Sequence, residues 1–334
     1  MRLFIILYVF CCFFNVALGQ MPSDKPSEEA WTVFNKTNSE LTDNNAIKLL
    51  IEPNGMKWIG TERGGLINYD DEKWEIYQTE NSNIPHNSIY AIVIDKNKNK
   101  WIGTYGNGLG KIDFTSEEKE WVHFNTSNSL LPHNWILSAA VDNENNLWVG
   151  AGDQGITKFD GTEFISFNSY NSELPNDVVN AIEIDAFGNK WVGTEDGGLC
   201  KYDGESWTIY NTENSQLPSN WILTLLADSK NNLWIGTLNG GVAKFDIVHN
   251  TWNIYNNINS GLPNNSVYCI AIDQEGTKWI GTGGGGIASF DNRNWNVYNE
   301  ENSPLPKDFI YSIAIDSKNN KWLGTWKGGV VNLK

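Results

Sequence analysis

Short apolar runs alternate with turn residues along the chain, and the order of those runs repeats. The clearest marker is Trp, then Ile, Val or Leu, then Gly, then Thr or once Ala. It occurs at Trp58, Trp101, Trp148, Trp191, Trp234, Trp279 and Trp322, with spacings of 43, 47, 43, 43, 45 and 43 residues. A fixed period in this range means one supersecondary unit repeated as an array. Within a repeat the apolar runs are short and separated by Gly, Asn and Asp, which predicts four strands per unit. In the sixth repeat these are strand A over 267–273, strand B over 278–282, strand C over 287–290 and strand D over 295–298. Strand A is apolar on both faces. Trp and the Gly two residues later share one face of strand B, since side chains alternate along a strand. A large ring beside a bare backbone position lets the neighbouring sheet approach closely, so the seven tryptophans are expected in the core. Glycine pairs such as Gly64-Gly65, Gly197-Gly198, Gly240-Gly241 and Gly328-Gly329 fall between B and C, where a tight reversal wants positive φ.

Four-stranded antiparallel units of this length form propeller blades. Strands A, B and C occur seven times each. Strand D follows its own strand C only six times, at Trp74, Trp121, Phe164, Trp207, Trp252 and Trp295. The missing copy lies at the other end: Trp31-Thr32-Val33-Phe34-Asn35 matches Trp207-Thr208-Ile209-Tyr210-Asn211. The fold expected is all-β, a single seven-bladed propeller over 31–334 whose N-terminal strand, residues 31–35, completes the last blade. Closure in this way removes open sheet edges.

The first residues change the picture of where the protein works. Arg2, an apolar run from Leu3 to Phe14 and Ala17-Leu18-Gly19 read as a secretory signal peptide over 1–19, followed by a linker over 20–30. The run is shorter than the roughly 20 apolar residues of a membrane span, so the mature chain is expected to be exported, periplasmic or secreted, with no membrane span and as a monomer. Cys200 and Cys269 occupy non-equivalent repeat positions and read as buried thiols rather than a disulfide framework. A formal charge of −16 argues against nucleic acid as a partner, since phosphate backbones would be repelled.

The strings GTKWIGTGGGGI at 276–287, NNLWIGTLNGGV at 231–242 and GNKWVGTEDGGL at 188–199, with the connecting strings NSQLPSNWI at 214–222 and NSNIPHNSI at 81–89, resemble the two-component regulator propeller family. The resemblance covers essentially residues 31–334. It implies the propeller fold and the habit of binding ligands on one face. In the family such propellers often form the exported sensor part of membrane hybrid histidine kinases that detect glycan fragments. Here the sequence stops after one propeller, so the expectation is a stand-alone, sensor-like form without its own kinase.

The topology sends the D–A loops and B–C turns to one face. Residues that recur in every blade are structural, and those that break the pattern are the candidates. Thirteen of the sixteen tryptophans belong to strands B and D; Trp135, Trp221 and Trp326 do not, and all three map to that face as candidate stacking platforms for sugar rings. His86 and His133 sit at equivalent D–A positions, a candidate acid–base or metal pair; no third nitrogen or sulfur ligand is evident, so no metal and no cofactor is expected. Tyr105, Asn107, Asp153, Glu195 and Asp196 come from B–C turns. So do Arg63 and Lys327, which could clamp a carboxylate or sulfate beside Trp326. The leading reading is an exported module that binds an oligosaccharide or other small ligand. The alternatives are a polysaccharide lyase or glycoside hydrolase acting on acidic glycans, which would use His86 or His133 with a loop carboxylate, and a protein-docking platform. Asp95–Asn99 and Asp142–Asn146 superficially resemble calcium loops but lack the glycine and distal Glu; Asx turns explain them better.

Overall fold

A computed structural model describes residues 30–114 and 120–334. The signal peptide and nearly all of the linker expected before residue 31 lie outside the described residues. Each repeat folds as expected, into four antiparallel strands ordered A-B-C-D, and seven such sheets form the ring. In blade 6 they are A (Val267–Ile272), B (Lys278–Thr282), C (Ile287–Phe290) and D (Trp295–Tyr298). The last blade is completed from the other end of the chain. Its outer strand, Trp31–Phe34, pairs antiparallel with Gly329–Leu333, with Trp31 opposite Leu333 and Phe34 opposite Val330.

The core lies between blades. Each cluster combines the strand-B Trp of one blade with apolar residues of the next, as in Trp322 and Val330 with Leu49, Ile59 and Ile67. The strand-B glycines make that packing close. A Cβ on Gly103 would lie 2.6 Å from Ile136, and one on Gly193 2.5 Å from Ile222, in each case the first residue of the next blade's strand A.

Every strand-B indole is buried and its N–H has an acceptor. In blades 2 to 7 this is the Asp six residues earlier: Asp95, Asp142, Asp185, Asp228, Asp273 and Asp316, at 2.8–3.1 Å. Blade 1 uses Glu52 at 2.7 Å. The other edge of the same Asp accepts backbone N–H groups of the A–B turn, as Asp142 does from Glu144 and Asn146. The Asp-rich turns are therefore caps that also anchor tryptophan. Where strand B begins with Lys, the ammonium lies over the preceding blade's indole: Lys57 over Trp322, Lys100 over Trp58, Lys190 over Trp148, Lys278 over Trp234 and Lys321 over Trp279, at 4.9–5.7 Å from the centroids. Cys200 and Cys269 are buried free thiols.

Candidate functional site

The D–A loops and B–C turns share one face and are stitched together around it. The last glycine of each B–C turn, for example Gly108, Gly241 or Gly329, donates its N–H to a carbonyl in the next blade's D–A loop, respectively Asn134, Asn265 and Asn44, at 2.8–2.9 Å. These glycines hold φ near +80 to +87°. A Cβ at Gly241 would sit 2.2 Å from the Tyr255 carbonyl oxygen. The candidate side chains thus stand on a hydrogen-bonded ring.

Strand A adds a second row at the mouth of the channel. In all seven blades the pairing of A with B skips the second residue of A, for example between Ile89 and Ala91 or Val267 and Cys269. The skipped residues are Ile47, Tyr90, Leu137, Asn180, Leu223, Tyr268 and Tyr311. A bulge of this kind re-aims the extra side chain. Tyr268 and Tyr311 line the central channel.

The two rows join into an aromatic crescent. Tyr105 pairs across the blade boundary with Trp135, and the rings stack with centroids 4.5 Å apart and planes 15° from parallel. Tyr90 extends this run on one side at 5.4 Å from Tyr105, and His133 on the other, edge-on to Trp135 at 5.0 Å. In blades 6 and 7, Phe309 contacts Tyr268 at 4.6 Å, Tyr311 at 4.8 Å and Trp326 at 6.0 Å. Lys327 Nζ lies 4.2 Å from the Trp326 centroid. Tyr105, Trp135 and Trp326 remain 40%, 43% and 41% exposed.

Blade 1 sits between the two arms and supplies charge. Asn45 accepts the Lys327 N–H at 2.7 Å and donates to Glu62 at 2.6 Å. The Arg63 N–H is held by Asp43 at 2.9 Å, leaving its exposed side chain on the surface. Burial, with the Glu62 charge next, pushes the Tyr311 hydroxyl up to about 12. Tyr90 is raised by the same two causes.

Other sequence candidates are placed differently. Trp221 is on the same face, but no ring partner is found for it among the described residues; its loop is held by a Ser219 hydroxyl at 3.2 Å. The three off-pattern tryptophans therefore share a face without forming one platform. Asn107 turns its side chain inward, to the Pro85 carbonyl at 2.7 Å. His86 and His133 cap their own loops: Nδ1 accepts the N–H of Ser88 at 3.0 Å and of Trp135 at 2.9 Å. Asp43, Asn176, Ser219 and Asn264 do the same job in other blades. With that lone pair engaged, either imidazole would have to release its cap to act as a base. Asp153 is held below the usual carboxylate range by Gln154, which donates at 2.9 Å, and by the nearby His133. Glu195 and Asp196 lie in the B–C turn of blade 4, away from the crescent. Among the described residues no group of three His, Cys, Asp or Glu side chains could hold a metal ion, and no helix is long and apolar enough to cross a membrane.

Sequence reading missed Tyr90, Tyr268 and Tyr311 because they lie within strand A, which reads as core. The available signal was the second position of that strand, which varies among Ile, Tyr, Leu and Asn while its neighbours, Lys48 apart, stay apolar or small.

Comparison with known proteins agrees with this architecture. The two-component regulator propeller profile matches residues 83–106, 216–239 and 261–284. No curated protein sequence matches the chain. Among solved structures, the chain is similar to the extracellular domain of a protein described as a hybrid two component system, BT3049 of B. thetaiotaomicron. The identity is 22%, the TM-score 0.78, and the match covers 91% of this chain and 41% of that one. PorZ, a surface component of the type-IX secretion system of Porphyromonas gingivalis, matches at 17% identity and a TM-score of 0.68, over 87% of this chain and 46% of PorZ. Virginiamycin B lyase from Staphylococcus aureus matches at 13% identity and a TM-score of 0.72, over 90% and 98% of the two chains. At these identities the likeness is one of fold. The chain spans about two-fifths of the extracellular domains it matches. Three of the seven repeats thus match the two-component regulator propeller model, and the blade architecture is that of the extracellular domains the chain resembles.

Proposed function

We propose that this propeller is an exported recognition module that binds a glycan across its D–A and B–C face. The carrying observation is the aromatic crescent, in which Tyr105 stacked on Trp135 and Trp326 beside Phe309 flank the charged turn of blade 1. Sugar rings present apolar C–H faces that pack on exposed aromatic rings, while their hydroxyls need polar neighbours. Arg63, Glu62 and Lys327 supply those between the two arms. Tyr and Trp also lose little conformational entropy on binding, because their side chains have two torsions.

The test is a tryptophan-fluorescence titration of the chain with neutral and acidic oligosaccharides. Trp135→Ala and Trp326→Ala should each weaken binding about tenfold, the loss expected when a central aromatic anchor is removed. Trp221→Ala should bind like the wild type, because Trp221 stands outside the crescent. Equal affinity in all three variants would place the ligand elsewhere. Failure of every sugar to bind would turn the face over to the protein-docking alternative.

A further inference from the structure

Below the aromatic mouth the strand-A residues enclose a cavity of about 230 Å³. This is smaller than the roughly 300–1,000 Å³ that encloses a whole drug-sized ligand, so it suits one end of a larger molecule. Its wall carries one cation, Lys48, and one carboxylate, Glu183. Lys48 breaks the repeat: the equivalent positions hold Ala91, Ser138, Ala181, Thr224, Cys269 and Ser312. Lys48 is exposed to the channel space, yet desolvation by the surrounding channel wall pulls its ammonium below the usual lysine range.

No hydrogen-bond or ion-pair partner is found for the Lys48 ammonium among the described residues. Glu183 influences it electrostatically but spends one carboxylate oxygen on the Ala227 N–H at 3.1 Å. Burial pushes Glu183 up to about 7, so near neutral pH it compensates Lys48 only in part. The Cys269 thiol, also near Lys48, is pushed up by burial and stays neutral. Tyr268 and Tyr311 belong both to this wall and to the crescent above it, so the cavity and the mouth are continuous.

We infer that the channel is an anion subsite in which Lys48 takes the carboxylate of an acidic sugar, such as a uronate, whose neighbouring rings lie on the aromatic crescent. The inference rests on the glycan reading for the rest of the ligand, but the subsite can be probed by itself. A single cation within low-dielectric walls, inside a chain of net charge −16, selects an anion that is small and desolvated rather than a general anionic surface. Charge-assisted hydrogen bonds of this kind are the strong ones.

The probe is D-glucuronate, with D-glucose and sodium chloride at matched ionic strength as controls, read by thermal shift on the chain. Glucuronate should raise the melting temperature of the wild type above both controls. Lys48→Ser, which installs the residue found in blades 3 and 7, should lose that increment, with affinity lowered about tenfold or more, the loss typical of a hydrogen bond to a charged group. Lys48→Met, which keeps the side-chain length, guards against a packing effect and should behave like Lys48→Ser. An increment that survives in both variants, or a wild type that treats glucuronate like glucose, overturns the subsite. The two proposals fail separately. If Trp135→Ala leaves oligosaccharide binding intact while glucuronate still requires Lys48, the face reading falls and the subsite stands. If Lys48→Ser binds both acidic and neutral oligosaccharides like the wild type, the reverse holds.

Discussion

At the scale of single residues, the chain repeats one arrangement: a buried indole whose N–H is held by a turn carboxylate. Removing the carboxylate orphans a buried donor and loosens the turn. Asp228→Ala should therefore cost about 1–3 kcal/mol, the penalty of an unsatisfied buried polar group. Trp234 Nε1 and the N–H groups of Lys230 and Asn232 would lose their acceptor together. Urea unfolding of the variant against the wild type measures this, and an unchanged midpoint would mean that water replaces the carboxylate. The Asx-turn half of this role could be read from the Asp-Asn spacing alone. The Trp half was also present, as Asp followed six residues later by Trp, but it becomes a contact only once the A–B hairpin is known to fold back. Site residues divide in the same way. Trp135, Trp326 and Tyr105 stand out because they break a repeat in loops. Tyr90, Tyr268 and Tyr311 escape because a bulge, rather than a change of composition, turns them toward the channel.

At the scale of elements, strand limits followed closely from the turn chemistry. Strands B, C and D of blade 6 span the expected residues, strand A ends one residue early, and the closing strand ends at Phe34 rather than Asn35. The bulge in strand A could not be read, since it depends on how the next blade abuts. The closing strand carries a sharp consequence for stability. Deleting residues 31–35 would leave Gly329–Leu333, a five-residue strand buried throughout, as an open edge. Exposed apolar edges recruit other chains. The deleted protein should lose its single cooperative melt and elute as aggregates in size-exclusion chromatography, and a synthetic peptide covering residues 30–38 should restore part of both by strand addition. A monomeric, cooperatively melting deletion would mean that six complete blades suffice.

At the scale of the whole molecule, buried carboxylates of two kinds set the response to pH. Burial alone would raise Asp142, Asp228, Asp273 and Asp316, but the indole and backbone donors outweigh it and hold all four below the usual range. Their contribution is present above the unfolded value of about 3.9 and is lost as pH falls through the folded values. Glu183 has the opposite sign. With its folded value raised to about 7, its contribution is complete at low pH and is lost as pH rises from about 4.5 toward 7. Melts from pH 3 to 8 should fall steeply below pH 4. Glu183→Gln, which keeps an acceptor for Ala227, should melt a few degrees above the wild type at pH 8 and match it near pH 4; a constant offset at every pH would refute the assignment. The ring also dictates an order of events. Because Trp31 pairs with Leu333, the strand Trp31–Phe34 waits about 300 residues for its partner. Both partner strands must have been made, and have crossed any membrane, before the circle can shut. A chain cut short before Gly329 would carry its unpaired Trp31–Phe34 strand as a molecular mark of incompleteness, readable by chaperones and proteases.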